Sequence, residues 1–226
     1  MSQVAARSVQ FSFPKQAKVG RPVAKSKIYE HGPVSAALRN KFIAQVEQIT
    51  WAYKLAPETI NLSARVEVPE LQIFDIELKT TELDDEVLRA IDRAISLPII
   101  FQLHRDQQVR MVAAFKRPSQ AEAGKWVLED YVAGPWLPAD AERQSLPIAL
   151  DLQGLYEQLL RSLLPQAARA DESLSEQLER LARLRSRQSE YRKLESRLHK
   201  ERQFNRRVVL NAQLREIQNE IAELSA

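Results

Sequence analysis

The segment FDIELK places two carboxylates and a lysine at alternate positions, namely Asp75, Glu77 and Lys79. Side chains two residues apart in a β-strand point to the same side, so the three charged groups would share one face. Restriction-type nucleases use that arrangement: the acids hold Mg²⁺ and the lysine steadies or activates the attacking water. Glu47 in the preceding segment could complete an acidic cluster. The alternative is a set of surface ion pairs, because no convincing acid comes from an earlier hairpin strand.

A second group of candidate residues lies in the basic part of the C-terminal third. Residues 180–207 hold eleven Lys or Arg and three Asp or Glu, so the acids are too few to neutralise the bases. Such a segment could bind nucleic acid, because each neutralised phosphate releases counterions, or it could bind an acidic protein. The third alternative is a solvated helix face. The candidate contact residues are Arg183, Arg187, Lys200, Arg202, Phe204, Asn205, Arg206, Arg207 and Asn211.

Composition excludes several kinds of chemistry. The 226 residues include no Cys, which excludes disulfides, thiolate metal sites and a cysteine nucleophile. Three widely spaced His and five Gly disfavour a His-rich metal site and a phosphate-cradling loop. We therefore expect no cofactor, except Mg²⁺ in the nuclease alternative. No apolar run approaches the roughly 20 residues of a membrane span, and no secretion signal is evident, so we expect a cytoplasmic protein without membrane contact.

Three regions follow one another along the chain. Residues 1–27 are basic and contain two prolines, which indicates an extended arm. Residues 28–165 carry the patterns of a globular domain. Residues 166–226 contain neither Gly nor Pro, which predicts a long helical, coiled-coil-like tail.

The globular region shows alternating helical and strand periodicities. We predict a helix over 34–53, a strand over 71–79, a helix over 84–94, a β-hairpin over 98–116, a strand from 126 to about 135, and a helix over 150–164. Strands grouped beside segregated helices favour the α+β class. The expected architecture is a small, mostly antiparallel sheet with helices on one face, followed by a long C-terminal helix or helical hairpin.

Apolar residues at the end of the tail recur with spacings of four and three, at Leu210, Leu214, Ile217, Ile221 and Leu224. This heptad seam is too short for an independent coiled coil, but it suits a partner helix. A less regular leucine stripe runs over residues 174–198, and the polar stretch KERQFNRRVVLN separates the two. The interruption permits either one continuous helix or a hairpin bent near residues 204–205. The lack of Gly and Pro favours the continuous helix.

Several stretches together resemble a known family, namely VEQITWAYKLAPETINL, LQIFDIELKTTELDDEVLRAIDRAISLPIIFQL, VAAFKR and KERQFNRRVVLNAQLREI. The family is an uncharacterised prokaryotic domain of unknown function, number 4391, and the resemblance covers about 27–224. Its members are often encoded beside a helicase and a DNA methyltransferase. The resemblance therefore implies a small accessory subunit of a DNA-targeting defence or restriction-modification-like complex.

The family's pattern also gives weight to particular residues: Trp51, Lys54, Glu58, Thr59, Asn61, Glu77, Lys79, Asp92, Lys116, Phe204, Asn205, Arg206 and Asn211. Some have simple structural interpretations. Thr59 and Asn61 can fix a turn, and Asp92 can pair with Lys116 or Lys79. We interpret KERQFNRRVVLN as a docking element.

The uneven charge, the long tail and the lack of a complete active site favour a non-enzymatic adaptor. Its partners would be proteins, such as a helicase or a DNA methyltransferase, and DNA is a further candidate. Self-association through the tail is a third hypothesis. The alternative function is a Mg²⁺-dependent nuclease built on Asp75, Glu77 and Lys79.

Overall fold

The computed structural model describes residues 10–31, 34–119, 122 and 126–226. The chain forms two compact units that divide after Pro165. The first unit contains all of the described strands, and the second unit is helical. Among the described residues, no helix is both long enough and apolar enough to cross a lipid bilayer.

The strands of the first unit are β1 (Gln10–Ser12), β2 (Lys18–Pro22), β3 (Val46–Leu55), β4 (Leu71–Leu78), β5 (Ile99–Arg105), β6 (Gln108–Pro118), β7 (Trp126–Ala133), β8 (Leu137–Pro138) and β9 (Arg143–Ser145). Its helices are α1 (Lys25–Glu30), α2 (Ala36–Gln45), α3 (Pro57–Ile60), α4 (Asp85–Ala94) and α5 (Leu152–Leu163). The helices of the second unit are α6 (Leu174–Lys200) and α7 (Phe204–Ser225). The predicted α+β class is confirmed.

The main sheet has the strand order β2-β3-β4-β5-β6-β7, and β8 pairs with β6. Neighbouring strands run antiparallel except β4 and β5, which are parallel. A parallel pair requires a crossover, and α4 supplies it. Helices α1, α2 and α4 pack their apolar side chains on the sheet, around Phe42, Phe74, Ile91 and Phe101, which are nearly fully buried. Helix α5 contacts β6 and β7.

The helix predicted over residues 34–53 is wrong beyond residue 45. Helix α2 ends at Gln45, and β3 begins at the next residue. The buried positions of β3 are spaced by three residues: Val46, Ile49, Ala52 and Leu55. The register of β3 against β4 shifts twice along the strand. Each irregularity breaks the two-residue alternation of a regular strand, and the resulting spacing imitates a helix.

Part of the segment interpreted as an arm is paired with other strands. Strand β1 pairs in parallel with β9, and β2 adds to the edge of the main sheet beside β3. Gly20, at a φ of 65°, lies inside β2, where the register against β3 shifts. Residues 1–9 of this segment lie outside the described residues.

Candidate interaction surface

The second unit is a helical hairpin, so the continuous helix favoured by the sequence is wrong. Helix α6 begins with a reciprocal cap: Ser173 Oγ accepts from the Glu176 amide at 3.3 Å, and Glu176 Oε2 accepts from the Ser173 amide at 2.9 Å. Hydrogen bonds from Ser173 also hold the pKa of the Glu176 carboxyl below its usual value. A reciprocal cap of this kind satisfies amides that lack partners at a helix start.

The turn between the two helices forms without Gly or Pro. The Glu201 carboxylate accepts hydrogen bonds from the backbone amides of Arg202 and Gln203, both at 2.9 Å. The Gln203 amide is the main reason that the pKa of the Glu201 carboxyl is lowered. Glu201 and Gln203 both have extended backbone conformations, so the helical hydrogen-bond ladder stops there. The Glu201 side chain thus stabilises a turn that contains neither Gly nor Pro, the residues by which turns are usually recognised in a sequence.

The leucine seam of the tail is occupied within the hairpin. Leu214 and Ile217 of α7 form a buried cluster with Leu194 of α6. Partly buried apolar side chains surround this cluster: Tyr191, Leu198, Leu210 and Ile221. The partner helix that the heptad pattern predicted is therefore α6 of the same chain, packed antiparallel to α7.

Arg180 holds the base of the hairpin together. Its Nε and Nη2 donate to the two carboxylate oxygens of Glu172 at 2.6 and 2.9 Å. Its Nη1 donates to Gln166 Oε1 and to the carbonyl of Leu224, and Nη2 also donates to the carbonyl of Ala167. All five N–H donors of the guanidinium group are thereby used. The pKa of the Glu172 carboxyl falls to about 2, mainly because Arg180 donates to it.

Arg187 is a second base engaged inside the hairpin. Its guanidinium contacts Glu190 on α6 and Glu220 on α7, both at 2.7 Å. These carboxylates raise the pKa of Arg187, and the hydrogen bond that Arg187 donates to Glu190 is the largest contribution. Arg187 was predicted as a contact residue for a partner, but the structure already gives it two partners.

Except for Arg183, which lies in the first half of α6, the remaining predicted contact residues surround the turn. We call residues 200–211 the hairpin tip. Phe204, Val208 and Val209 are 77%, 52% and 56% exposed there. Asn205 is exposed, and Asn211 donates to the carbonyl of Arg207 at 3.0 Å. Five predicted bases are exposed and form no ion pair with any residue that the structure describes: Arg183, Lys200, Arg202, Arg206 and Arg207.

The residues of the nuclease hypothesis lie in the first unit and only partly converge. Asp75 accepts from Gln102 Nε2 at 2.7 Å and lies 3.5 Å from His104 Nε2. Lys79, beyond the end of β4, instead contacts Glu47 at 3.3 Å and donates to a carbonyl of α2. Within the described ranges, no group of three or more His, Asp or Glu side chains is placed to hold a metal ion. The nuclease site stays a prediction.

Comparison with known proteins identifies the family of this chain. The sequence model of a family described as "Domain of unknown function (DUF4391)" matches residues 11–221, which is nearly the whole chain. The chain belongs to the DUF4391 family. No curated protein and no solved structure matches it.

Asp92 and Lys116, two of the residues to which the DUF4391 resemblance gives weight, form a buried ion pair. Lys116 Nζ lies 3.6 Å from Asp92 Oδ1, and both side chains are almost fully buried. The ammonium group donates to the carbonyls of Asp92 at 2.5 Å, Leu97 at 3.2 Å and Ile95. These carbonyls lie at the C-terminal end of α4, so Lys116 caps that helix. The predicted pairing of Asp92 is realised with Lys116.

The same cluster changes the pKa values of its members. Burial raises the pKa of the Asp92 carboxyl to about 6, although Lys116 and a hydrogen bond from Tyr131 at 2.5 Å act in the opposite direction. Burial also lowers the pKa of Lys116. Tyr156 adds a further buried hydroxyl, which donates to the carbonyl of Ala114 at 2.7 Å and accepts from the Lys116 amide at 3.0 Å.

We expect Asp92 to make the stability of the first unit depend on pH. Its folded-state pKa lies above the ordinary 3.8, so its stabilising contribution is fully present below pH 3.8 and is lost as pH rises through about 6. The free energy of unfolding of the native chain, minus that of Asp92→Asn, should rise by on the order of 2 kcal/mol from about pH 7 to about pH 4. Urea titrations at each pH measure it. A difference that stays level or falls on acidification contradicts the assignment.

Five other residues of the first unit to which the resemblance gave weight also support the fold. Trp51 Nε1 donates to Gln72 at 2.7 Å, and Gln72 donates to Glu70 at 3.0 Å. Lys54 joins Glu70 to Glu58, with both contacts at 2.9 Å. In the following turn, Thr59 accepts from the Ala56 amide, and Asn61, with a φ of 54°, ends α3. In contrast, the weighted Phe204, Asn205 and Arg206 side chains at the hairpin tip are exposed.

Proposed function

We propose that this chain is a non-enzymatic accessory subunit that binds a partner protein through the hairpin tip. The observation that carries the proposal is the exposure of Phe204, Val208 and Val209 on a hairpin whose other large apolar side chains are mostly turned inward. Phe204 and Val208 are one helical turn apart, so they form a single apolar spot. An exposed aromatic side chain at the end of a hairpin can serve as an anchor residue that fills a pocket on a partner.

The surroundings of the apolar spot define the kind of partner. Arg202, Arg206 and Arg207 surround it and form no ion pair with the described residues. Protein interfaces combine an apolar centre with a polar rim, and they are enriched in Phe and Arg. The partner we expect therefore presents an apolar pocket rimmed by carboxylates. Burying the Phe204 side chain in such a pocket would contribute about 1.5–3 kcal/mol.

The family resemblance supports a place in a DNA-targeting prokaryotic defence or restriction-modification-like complex. On this proposal, the protein that receives the tip is a helicase or a DNA methyltransferase. The contacts of Lys79 with Glu47 on β3 and with the carbonyl of Ile43 on α2 favour the accessory function over the nuclease alternative, because they direct the lysine away from Asp75.

Co-purification from the native host tests the proposal. A tagged native chain is compared with Phe204→Ser/Val208→Ser and with Ile148→Ser/Leu150→Ser as the matched control. The control pair is also apolar, and both of its side chains are 95% exposed, but they lie in the first unit. We expect the helicase or methyltransferase to co-purify with the native chain and the control, and to fall at least tenfold with the tip variant.

Two results would contradict tip docking. One is equal recovery of the partner with the tip variant. The other is equal loss with both variants, which would show that apolar exposure in general causes the association.

A further inference from the structure

Helix α6 carries a row of bases on the side that faces away from α7. Tyr191, Leu194 and Leu198 mark the side packed on α7. Residues three or four positions apart lie on one side of a helix, and this spacing places the following five bases on the opposite side: Arg185, Arg192, Lys193, Arg197 and Lys200. We call these five residues the basic face. All five are exposed, and at 1.5 Å per residue they extend over roughly 22 Å.

The bases of α6 differ in their partners, and Arg183, which is exposed and forms no ion pair with any described residue, lies outside the basic face. Arg180 and Arg187, on the hairpin side, have carboxylate partners at 2.6 and 2.7 Å. The basic face forms no ion pair with any described residue, and Arg192 donates only to the carbonyl of Gln188 in its own helix. The nearest acids do not neutralise it. Glu190 contacts Arg187, and Glu195 forms no ion pair with a base of this face among the described residues.

Serines occupy the positions between these bases. Ser189, Arg192, Lys193, Ser196 and Arg197 line one shallow hollow on the helix, and Ser186 lies one turn earlier on the same side. The hydroxyl group of Ser, the ammonium group of Lys and the guanidinium group of Arg all donate hydrogen bonds to phosphate oxygens. Over residues 185–200, this side of α6 carries no apolar side chain.

The absence of apolar residues on this side decides between kinds of partner. A protein interface has an apolar core from which Lys is depleted, and a helix lying on a membrane needs an apolar face. Nucleic-acid interfaces are instead polar and strongly positive. We infer that the basic face binds the phosphate backbone of duplex nucleic acid, without reading its sequence. A face of this length covers about two thirds of one duplex turn.

A salt titration of the full-length chain tests the inference. A labelled DNA duplex of about two helical turns is titrated by fluorescence anisotropy between about 50 and 200 mM salt. The test variant is Arg192→Gln/Lys193→Gln/Arg197→Gln. We expect it to weaken binding at least tenfold at about 100 mM salt. The slope of log affinity against log salt should become smaller by about 2.7, since each phosphate contact contributes about 0.9.

The matched control removes the same charge elsewhere. Lys15→Gln/Arg21→Gln/Arg93→Gln changes three exposed bases of the first unit, and it should weaken binding less than threefold. Circular dichroism checks that both variants keep their helices. The inference is overturned if the native chain does not bind at about 50 mM salt, or if the control weakens binding as much as the test variant. It is also overturned if the test variant keeps its DNA affinity but loses the co-purifying protein, which would identify a protein-binding face.

Discussion

Replacement of Arg180 by leucine is expected to open the base of the hairpin. The variant loses five hydrogen bonds and removes the guanidinium group that donates twice to the Glu172 carboxylate, whose side chain is 9% exposed. Removing one partner of a buried ion pair costs about 3–5 kcal/mol. Backbone amides in the last turns of α7, near Leu224, should therefore exchange with solvent at least a hundredfold faster, which hydrogen-exchange mass spectrometry measures.

Two further variants isolate the cause. Arg183→Leu removes an exposed base three residues away. It should change the opening free energy that amide exchange near Leu224 reports by less than about 0.5 kcal/mol, as is usual for surface positions. Arg180→Lys keeps the positive charge but lacks the planar fork that reaches Glu172, Gln166 and Leu224 together, so it should restore only a small part of the protection. If the amides near Leu224 are fully protected from exchange in Arg180→Lys, the positive charge alone stabilises the base of the hairpin.

Replacement of Lys116 by methionine is expected to destabilise the first unit by about 3–5 kcal/mol. The variant leaves the Asp92 carboxylate buried without its cation, and the carbonyls at the end of α4 lose the ammonium group. Urea unfolding followed by tryptophan fluorescence measures the loss. This signal reports on the first unit alone, because Trp51, Trp126 and Trp136 all precede residue 166.

Lys54→Met is the matched control for Lys116→Met. Lys54 also contacts two carboxylates, but its side chain is 29% exposed, so its loss should cost no more than about 1 kcal/mol. Adding Asp92→Asn to Lys116→Met should recover part of the loss, because no unpaired charge then stays buried. A loss below 1 kcal/mol for Lys116→Met would show that the pair is not a stabilising feature of the fold.

Elements with regular periodicity could be predicted from the sequence. The strand over residues 71–79, the helix over 84–94, the β-hairpin over 98–116 and the helix over 150–164 correspond to β4, α4, β5 with β6, and α5. In each, local preference and burial agree. The β3 segment could not be predicted in this way, because its irregular pairing with β4 changes the spacing of its buried residues.

The turn of the hairpin shows a second limit. It depends on hydrogen bonds from two amides to Glu201, and a glutamate within a charged helix has no distinguishing sequence signal. The packing of the two helices is also not evident from the sequence: α7 packs on α6 through Leu194, Leu214 and Ile217. A pattern that suits a partner helix does not state whether the partner is in the same chain.

The candidate interaction residues were predictable as a region, but their individual states were not. Phe204 and its neighbouring bases are exposed, as an interaction role requires. Arg187 forms ion pairs within the hairpin, and Arg180 is buried and hydrogen-bonded at the base of the hairpin. Arg180 is eight residues from Glu172, and this separation exceeds the three- and four-residue spacings by which helical ion pairs are recognised. The pairing therefore appears only in the folded hairpin.

The intramolecular packing of α7 on α6 has a consequence for self-assembly. Two helices joined by a short turn have a millimolar effective concentration with respect to each other. The α6 helix of a second molecule at micromolar concentration is therefore a weak competitor for α7. Any oligomer that uses Leu214 and Ile217 must first displace the chain's own α6 from them. The Glu201 turn thus acts as a tether that keeps these leucine and isoleucine side chains within one molecule.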